Sequence, residues 1–526
     1  MITIFRSLQK LCAVSLLFVF TVTAQSLNGS LPPDAASNSI TANDLKKHLR
    51  FIASDELGGR YTLSQGNRIA ARYIATHLES YGYRPAARDG SFFQRVPLAY
   101  RQPDVAQSLC AISGEKSKSE FKYGDDFVTE TPQDTHIKGE LVFVGYGISS
   151  PVNQHDDYAG LNVKGKIVVG VTGAPKSLQG KALNEHEAGL PAAVAHGAIG
   201  AIIMPPAEQM PSWDFFKTFA LRENLGLPPN AQAPYFLAGI NLVKMIAAAL
   251  NKEHTLLLAP AGNALPPAKL NLSAEIKVKV TVKDAPPAQN VAAILEGTDA
   301  RLKDEYVVVS AHLDHLETTN NEIYNGADDD GSGIVSVLEI AEALSLAHPR
   351  RSILIMFHTG EELGLFGSEY NTDYEPLVPL AKIVTNLNLD MVGRSRLPEN
   401  KDPRDKNLTD KDSIYIIGAD RLSTELHKLN EATNGETAKL RLDYKYNDPN
   451  DQERLYYRSD HYNYAKHGIP IIFYFTGLHR DYHQATDVVE KIDFDKMQRV
   501  SRMIFAVAWR AANADHRLVV DKKAGS

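Results

Sequence analysis

After Gln289 the chain repeats one pattern, in which a short continuous run of apolar residues is followed by a polar turn and then by a helical segment. Apolar runs of this length predict strands that are buried on both faces. Five runs fit this description: 291–295, 306–310, 353–357, 383–388 and 469–475. Between the second and third runs, residues 332–346 carry apolar side chains on one face and predict a helix. We therefore predict an α/β fold of three layers, with helices on both faces of a mostly parallel central sheet.

The chain also contains a segment of a different kind, so we expect more than one domain. Its 526 residues exceed what one hydrophobic core usually serves. From about Gly139 the pattern changes to short β-type runs separated by Gly and Pro, and this region ends in an alternating strand near residue 282. We predict an inserted β-rich domain at 131–282. The main domain would then comprise residues 41–130 and 283–515, and residues 516–526 would form a polar tail.

The first residues resemble a targeting segment. In residues 1–24, Arg6 and Lys10 precede an apolar run at 11–22, and Ala24 ends a sequence suited to cleavage. A membrane anchor is the weaker alternative, because the run is shorter than the roughly 20 residues that a bilayer requires. We therefore expect a signal peptide and an exported protein, periplasmic or extracellular, with no membrane contact after cleavage.

Between the signal peptide and the main domain lies a short polar stretch. Residues 25–40 are rich in Ser, Asn and Pro and predict a disordered leader. Thr41 and Asp44 then resemble a capping box, which predicts that a helix begins at this point.

Composition excludes some functions. With 44% hydrophobic and 23% charged residues, the chain has the composition of an ordinary globular protein. A formal net charge of -7 leaves no basic face for nucleic acid, so we expect no nucleic-acid partner. Cys12 lies in the predicted signal peptide, so the mature chain keeps only Cys110 and cannot form an internal disulfide.

Histidines and carboxylates follow the predicted strands. Because ligand-binding sites of open α/β sheets lie at the carboxyl ends of the strands, these side chains should lie close together. Imidazoles and carboxylates are ligands of zinc, and a catalytic zinc keeps one position open for water. The blocks are His312-Leu-Asp314, Asp328-Asp-Asp330, Glu361-Glu362, Asp390 and Tyr482-His483. Their order suits a pair of zinc ions and indicates metal-assisted hydrolysis.

The acidic blocks also have simpler explanations. The run 328–330 precedes a helix and one of its members could cap it, but three adjacent carboxylates repel one another unless a cation lies among them. Glu361 and Glu362 could be solvated residues of a helix's first turn; alternatively, one binds metal while its neighbour transfers protons. Asp390 ends an apolar strand, where an unpaired carboxylate would be costly.

The histidines differ in how well they suit the role of a zinc ligand. Asp314 is placed to accept the second ring N–H of His312, as expected near a zinc-bound histidine. His315 is a poorer candidate, which we interpret as a packing residue. His479 and His483 both follow the last predicted strand, and the residues alone do not rank them.

Taken in order, the five blocks resemble those of the co-catalytic di-zinc exopeptidase family, which includes secreted aminopeptidases, carboxypeptidase Q and glutamate carboxypeptidase II. The resemblance covers residues 41–130 and 285–510. The intervening segment resembles the protease-associated domain often inserted in this family, through its runs at 145–147, 164–169 and 197–203. The resemblance implies the di-zinc exopeptidase fold for the main domain.

The resemblance also implies a role for each block. One zinc would be bound by His312, Asp329 and Asp390, and the other by Asp329, Glu362 and His483, so that Asp329 bridges two Zn²⁺ ions. Glu361 would act as general base on a zinc-bridging water, with Asp314 beside it, and Tyr482 would donate to the oxyanion. A cis peptide bond is expected from Asp329 to Asp330. The block Ser459-Asp460-His461 would line the cleft, with Tyr464 where many relatives have Phe.

The implied activity is hydrolysis of peptides from one end. Acidic groups beside the zinc ions would hold a free α-amine, which favours an aminopeptidase. A carboxypeptidase or dipeptidase of the same family is the alternative, and it would need a cation aimed into the cleft; the candidates are Arg394, Arg396, Arg454 and Arg458. Less favoured alternatives are a metal-free binding protein and a glutaminyl cyclase with a single zinc on the same fold.

Overall fold

The computed structural model describes residues 29–522, apart from residues 116, 130–131, 180, 182, 184–186, 230–232, 260–264 and 450. The predicted signal peptide at 1–24 lies outside the described residues. Among the helices that the structure describes, none combines the length and the apolar character needed to cross a bilayer.

Two large β-sheets and a set of helices make up the described residues. The α-helices are α1 (Asp34–Ser39), α2 (Ala42–Ile52), α3 (Gln65–Ser80), α4 (Gly189–Ala195), α5 (Trp213–Leu221), α6 (Ile240–Ala249), α7 (His254–Leu258), α8 (Gly333–Ala347), α9 (Phe366–Glu369), α10 (Thr424–Glu436), α11 (His461–Ala465) and α12 (Phe494–Asn513).

In the first part of the chain, up to residue 284, the strands are β1 (Arg84–Pro85), β2 (Phe93–Val96), β3 (Ala99–Ser113), β4 (Lys118–Lys122), β5 (Phe127–Val128), β6 (Thr135–Phe143), β7 (Ser149–Ser150), β8 (His155–Asp156), β9 (Ile167–Val171), β10 (Gly200–Met204), β11 (Asn224–Gly226), β12 (Tyr235–Ala238) and β13 (Ala268–Asp284). The strands that follow are β14 (Ala288–Leu295), β15 (Tyr306–His312), β16 (Ser352–His358), β17 (Ile383–Leu389), β18 (Ser413–Ile417), β19 (Arg441–Asp443) and β20 (Ile471–Phe475).

The first sheet confirms the predicted fold class. Its strand order is β1-β14-β16-β15-β17-β20-β18-β19, with β2 paired to β14. All five predicted strands are present, as β14, β15, β16, β17 and β20. The central strands β16, β15, β17 and β20 are parallel, whereas β14 and β18 join them antiparallel. The sheet is therefore mixed, and its parallel centre brings the ends of β15, β16, β17 and β20 to one edge.

Burial on both faces explains why these strands are almost entirely apolar. Val307 and Val309 face a core that includes residues of α2, α8 and α12, whereas Val308 faces a second core that includes Tyr464 of α11. Helix α2 begins as the capping box predicts, because Thr41 Oγ1 accepts the N–H of Asp44. The result is a three-layer arrangement around the first sheet.

The second sheet places the inserted domain earlier than the sequence suggested. Its order is β11-β3-β13-β6-β9-β10-β12-β5, with β4 on β3. The predicted boundary at residue 131 is wrong for this sheet, since β3 runs from Ala99 and pairs antiparallel with β13, so that Ala99 lies opposite Asp284. The residues assigned to the first part of the main domain therefore end near Leu98 rather than at 130. This pairing joins strands that are far apart in sequence, so no local pattern reveals it.

The ends of the described chain are more ordered than predicted. The predicted disordered leader contains helix α1, and Ala36 and Ile40 are fully buried against the core of the main domain. The Nε1 of Trp509 donates to the carbonyl of Ser30. At the other end, Leu518 in the predicted polar tail is buried. Packing of these few apolar side chains outweighs the polar composition of their segments.

Candidate metal centre

Two predicted ligands lie at the carboxyl ends of adjacent parallel strands. His312 is the last residue of β15, and Asp390 follows β17 directly. His312 Nε2 lies 3.2 Å from Asp329 Oδ1 and 3.7 Å from Asp390 Oδ1. The ligand atoms of His312, Asp390 and Glu361 lie within 4.8 Å of one another, so they form one candidate metal site.

The other oxygen of Asp329 belongs to a second group of side chains. His483 Nε2 lies 3.2 Å from Asp329 Oδ2 and 2.9 Å from Glu362 Oε2. Asp329 therefore presents Oδ1 to His312 and Oδ2 to His483. A carboxylate shared in this way between two imidazoles has the geometry of a bridging ligand, and the structure brings together all five predicted ligands.

The chemistry of these side chains fits divalent metal ions. Imidazole nitrogens and carboxylate oxygens are the donors that zinc takes. His483 Nε2 is buried and has no hydrogen-bond partner among the described residues, although two carboxylate oxygens lie within 3.2 Å of it. Four carboxylates (Asp329, Glu361, Glu362 and Asp390) line one small cavity, where their repulsion is costly without cations. The residues present thus provide two candidate metal sites.

The three aspartates before α8 have three different functions. Asp328 Oδ1 accepts the N–H of Gly393 at 2.7 Å. Asp330 accepts the N–H groups of Gly333 and Met391 through Oδ1, and that of His312 through Oδ2. Only the middle aspartate, Asp329, is directed at the two histidine ligands, and the peptide bond that follows it is cis, as predicted.

The predicted contact between Asp314 and the ring of His312 is wrong in detail. The Nδ1 of His312 donates to the backbone carbonyl of Asp314 at 3.1 Å, whereas the Asp314 carboxylate is 4.0 Å away. That carboxylate instead accepts the N–H of Glu361 at 3.1 Å and the hydroxyl of Thr62 at 2.8 Å. The turn of the chain after His312 brings the carbonyl closer to the ring, so the carboxylate is free to hold the loop that carries Glu361.

Glu361 and Glu362 lie in the turn after β16, before helix α9 begins at Phe366. Burial raises the pKa of Glu361 well above its ordinary value, the neighbouring His312 opposes this shift, and Asp390 and Glu362 add to it. Burial also raises the pKa of Glu362, but hydrogen bonds from histidines outweigh it and lower the pKa overall. The two adjacent carboxylates therefore differ in proton affinity, as an acid–base group beside a ligand should.

Two further histidines, His479 and His315, lie near the candidate ligands. His479 is buried and its Nε2 donates to Asp328 Oδ2 at 3.1 Å, so it is not grouped with the ligands. His315, interpreted from the sequence as a packing residue, is instead part of the site: its Nδ1 lies 2.8 Å from Glu362 Oε1 and 3.8 Å from Asp329 Oδ2. The signal for it was available, because His315 follows the block His312-Leu-Asp314 directly.

Comparison with known proteins identifies the part of the chain that carries this site. Residues 290–508 match the model of Peptidase family M28. These residues, here called the M28 segment, are less than half of the chain. The M28 segment contains all five candidate ligands together with Asp314, Glu361 and Tyr482.

Two curated relatives match parts of the chain. "Probable leucine aminopeptidase 2" of Aspergillus oryzae (strain ATCC 42149 / RIB 40) is 37% identical over 103 residues, which are 20% of this chain and 19% of that protein. "Aminopeptidase YwaD" of Bacillus subtilis (strain 168) is 25% identical over 245 residues, which are 45% of this chain and 47% of the relative. The chain thus spans less than half the length of these relatives.

Solved structures resemble more of the chain at lower identity. "Aminopeptidase from Aneurinibacillus sp. strain AM-1" is 20% identical with a TM-score of 0.45, and the match covers 93% of this chain and 98% of that one. "BSAP, a zinc aminopeptidase from Bacillus subtilis" is 18% identical with a TM-score of 0.44, covering 92% and 98%.

One wall of the cavity in the M28 segment is apolar. It is formed by Leu455, Phe473, Phe475 and Leu478, opposite the acidic ligands. Tyr482 also lines the cavity, with its ring stacked on that of His483 at a centroid distance of 3.8 Å. Burial and the nearby carboxylates raise the pKa of Tyr482, so its hydroxyl keeps its proton and can donate it to an oxyanion.

The predicted cleft block of the M28 segment is buried and is not part of the lining of this cavity. Ser459, Asp460 and His461 are at most 1% exposed. Tyr464, in the position of the usual Phe, is buried and its hydroxyl contacts Asn371 and His358. His461 begins α11, which packs against β17 and β20.

Proposed function

We propose that the protein is a zinc-dependent exopeptidase, and specifically an aminopeptidase that removes N-terminal residues from peptides. The observation that carries this proposal is the position of Asp329 between His312 and His483, with Glu361 beside the first site. The match of the M28 segment to the model of a peptidase family, and relatives whose names include the word aminopeptidase, support it.

The proposed centre holds two zinc ions per chain. His312, Asp329 and Asp390 would bind one, and Asp329, Glu362 and His483 the other, which accounts for each buried donor described above. Bound zinc would polarise the peptide carbonyl and lower the pKa of the attacking water.

Glu361 is the proposed general base. Its carboxylate lies among the ligands of the first site, and its raised pKa suits a group that takes a proton from water and passes it to the leaving amine. The Asp314 carboxylate fixes the backbone of Glu361 through its N–H. The hydroxyl of Tyr482 would donate to the oxyanion of the tetrahedral intermediate.

The charges around the cavity favour a substrate with a free α-amine. Asp329, Glu361, Glu362 and Asp390 line it and attract a cation. The opposite wall of Leu and Phe side chains would contact an apolar N-terminal residue. We therefore expect preference for peptides that begin with a large apolar residue.

One observation favours the carboxypeptidase or dipeptidase alternative, which we keep as the second candidate. Of the four arginines considered, Arg394 is paired with Asp481 and Asp487, Arg396 donates to backbone carbonyls, and Arg454 lies over the ring of Tyr457. Arg458 lines the cavity, and within the described part of the chain its guanidinium has no ion pair or hydrogen bond. It is therefore placed to bind a substrate carboxylate.

A panel of substrates tests both candidates. Aminoacyl-anilides carry a free amine and no carboxylate, whereas N-blocked dipeptides carry the reverse. We expect hydrolysis of leucyl-anilide and none of the N-blocked dipeptides. Hydrolysis confined to N-blocked dipeptides would reject the aminopeptidase in favour of the second candidate. Release of pyroglutamate from an N-terminal glutamine would indicate a cyclase, and bound peptide without turnover or zinc would indicate a binding protein.

Export is the last part of the proposal. It depends on the sequence features of residues 1–24, and the test is the N-terminus of the protein recovered from the periplasm or medium of a bacterial host. We expect this N-terminus to be Gln25. Retention of the full-length chain in the cytoplasm would reject the proposal.

A further inference from the structure

We propose that His315 is a positioning residue that fixes the Glu362 carboxylate for the second metal ion. The inference rests on the proposed zinc binding but not on the identity of the substrate. It extends that proposal, because His315 is not one of the five assigned ligands.

The first observation is a contact between two almost fully buried side chains. His315 Nδ1 lies 2.8 Å from Glu362 Oε1, and the side chains of His315 and Glu362 are 0% and 6% exposed. The other oxygen of Glu362, Oε2, lies 2.9 Å from the ligand His483. His315 therefore occupies one carboxylate oxygen and leaves the other for an ion.

The second observation shows whether His315 donates a hydrogen bond to Glu362 or binds a metal ion itself. An ionised carboxylate only accepts hydrogen bonds, so the Nδ1 that contacts Glu362 carries the ring proton. His315 Nε2 is buried and has no hydrogen-bond partner among the described residues, which suits a nitrogen without a hydrogen. A protonated Nδ1 has no lone pair for a metal. His315 thus acts through Glu362, even though it lies close enough to Asp329 and Glu362 to be grouped with them as a possible ligand.

The third observation is that the imidazole ring is closely packed against a neighbouring loop. Gly326 has φ +54°, and a Cβ there would lie 2.5 and 2.6 Å from ring atoms Cδ2 and Cγ of His315. The guanidinium of Arg60 donates to the carbonyls of Asn325 and Gly326, and the carbonyl of Arg60 accepts the N–H of His315. The loop therefore presses against the ring, and Arg60 holds the loop.

The fixed ring of His315 should strengthen metal binding at the second site. Glu362 lies beside the like-charged Asp329, which would repel its carboxylate in the absence of a cation. The hydrogen bond from His315 holds the Glu362 carboxylate in place against this repulsion. The carboxylate therefore loses less conformational freedom when an ion binds. Loss of such a partner typically lowers metal affinity by about 10- to 100-fold. The effect should fall on the second ion, because Glu362 is a proposed ligand of that ion alone.

The test compares two substitutions of similar shape in the full chain. His315→Asn keeps an N–H donor near the position of Nδ1, whereas His315→Leu removes it. Zinc affinities are measured by calorimetric titration of the metal-free protein, together with thermal unfolding to verify the fold. His48→Asn is the control, since His48 is also a buried histidine but contacts Tyr73 and Glu339 rather than a candidate ligand.

We expect His315→Leu to weaken one of the two zinc affinities by about 10- to 100-fold and to leave the other unchanged. His315→Asn should recover most of that loss, and His48→Asn should alter neither affinity. Equal loss in the Asn and Leu variants would show that His315 binds metal directly, and unchanged affinities in His315→Leu would show that it only packs; either result overturns the proposal.

The visible spectrum of the Co²⁺-substituted protein gives a second measurement. We expect the wild type and His315→Asn to share one spectrum, so this comparison suffices if His315→Leu does not fold. A spectrum changed by His315→Asn overturns the positioning role. A wild-type protein that binds no metal would overturn the proposed function as well, whereas failure of His315 alone leaves that function intact.

Discussion

Asp487 Oδ2 accepts the backbone N–H groups of both Asp328 and Asp329, at 2.8 and 3.1 Å. This contact ties the loop that carries His483 to the backbone of Asp329, the proposed bridging ligand. Asp329 and His483, two candidate ligands that are distant in sequence, are thereby held close together without an ion. Asp487 is itself fully buried, and its other oxygen faces Arg394 at 3.4 Å.

We expect Asp487→Ala to weaken both folding and metal binding. The substitution leaves two buried N–H groups without their acceptor and removes one of the two carboxylates paired with Arg394. The free energy of unfolding should therefore fall by about 1–3 kcal/mol. Chemical denaturation of the metal-free protein measures this loss, and a zinc titration measures the change in affinity. Wild-type values in both experiments would contradict the role of Asp487.

Glu361→Gln should separate metal binding from catalysis. The amide cannot take a proton from water, so we expect kcat to fall by about 10²- to 10⁴-fold while two zinc ions remain bound. Elemental analysis of the purified variant and initial rates with a leucyl-anilide check both parts. Near-normal turnover would remove Glu361 from the proposed mechanism. Glu369→Gln, in helix α9 outside the cavity, is a suitable control.

Asp314→Ala should lower turnover without releasing the metal from the first site. The ring of His312 is held by the carbonyl of Asp314, which the substitution keeps, whereas the loop of Glu361 loses the carboxylate that accepts its N–H. Loss of this acceptor should cost about 1–3 kcal/mol of stability. Kinetics and a zinc titration of the same preparation test this. Loss of one zinc ion would show that the carboxylate acts on His312 after all.

Metal binding should release protons. Burial opposes the charge on His483, but the carboxylates of Asp329 and Glu362, which face its ring nitrogen, outweigh burial and raise the pKa of His483 from 6.5 to about 10 in the metal-free protein. The metal-free ring is therefore protonated at pH 7.5 and must lose its proton to become a ligand. Apparent zinc affinity should rise with pH up to about 10.

The same shift gives the sign of the effect on the metal-free fold. Because the folded pKa of His483 exceeds the unfolded one, its stabilising contribution is complete below about pH 6.5 and is lost as the pH rises through about 10. Calorimetry in buffers of different ionisation enthalpy counts the protons released on binding. Zinc binding at pH 7.5 without proton release would contradict the assignment of His483.

Long-range pairing explains the main errors of the sequence analysis. The antiparallel partner of β3 is β13, on the other side of the inserted domain, and this pairing moves the start of that domain to Ala99. Helix α1 forms in a polar segment because Ala36 and Ile40 are buried in the core of the main domain. Neither effect has a local sequence signal, since each depends on a surface built by distant residues.

The identity and order of the candidate ligands were determined by the sequence. Buried parallel strands are recognisable as apolar runs, and they place whatever follows them at one edge, so His312, Asp390 and Glu361 had to lie near one another. Only the tertiary structure decided which atom meets which. A carbonyl rather than a carboxylate holds His312, and His315 rather than solvent holds Glu362. The physical reason is that strand ends fix positions to within a few ångströms, whereas hydrogen bonds depend on the turn and rotamer that packing selects.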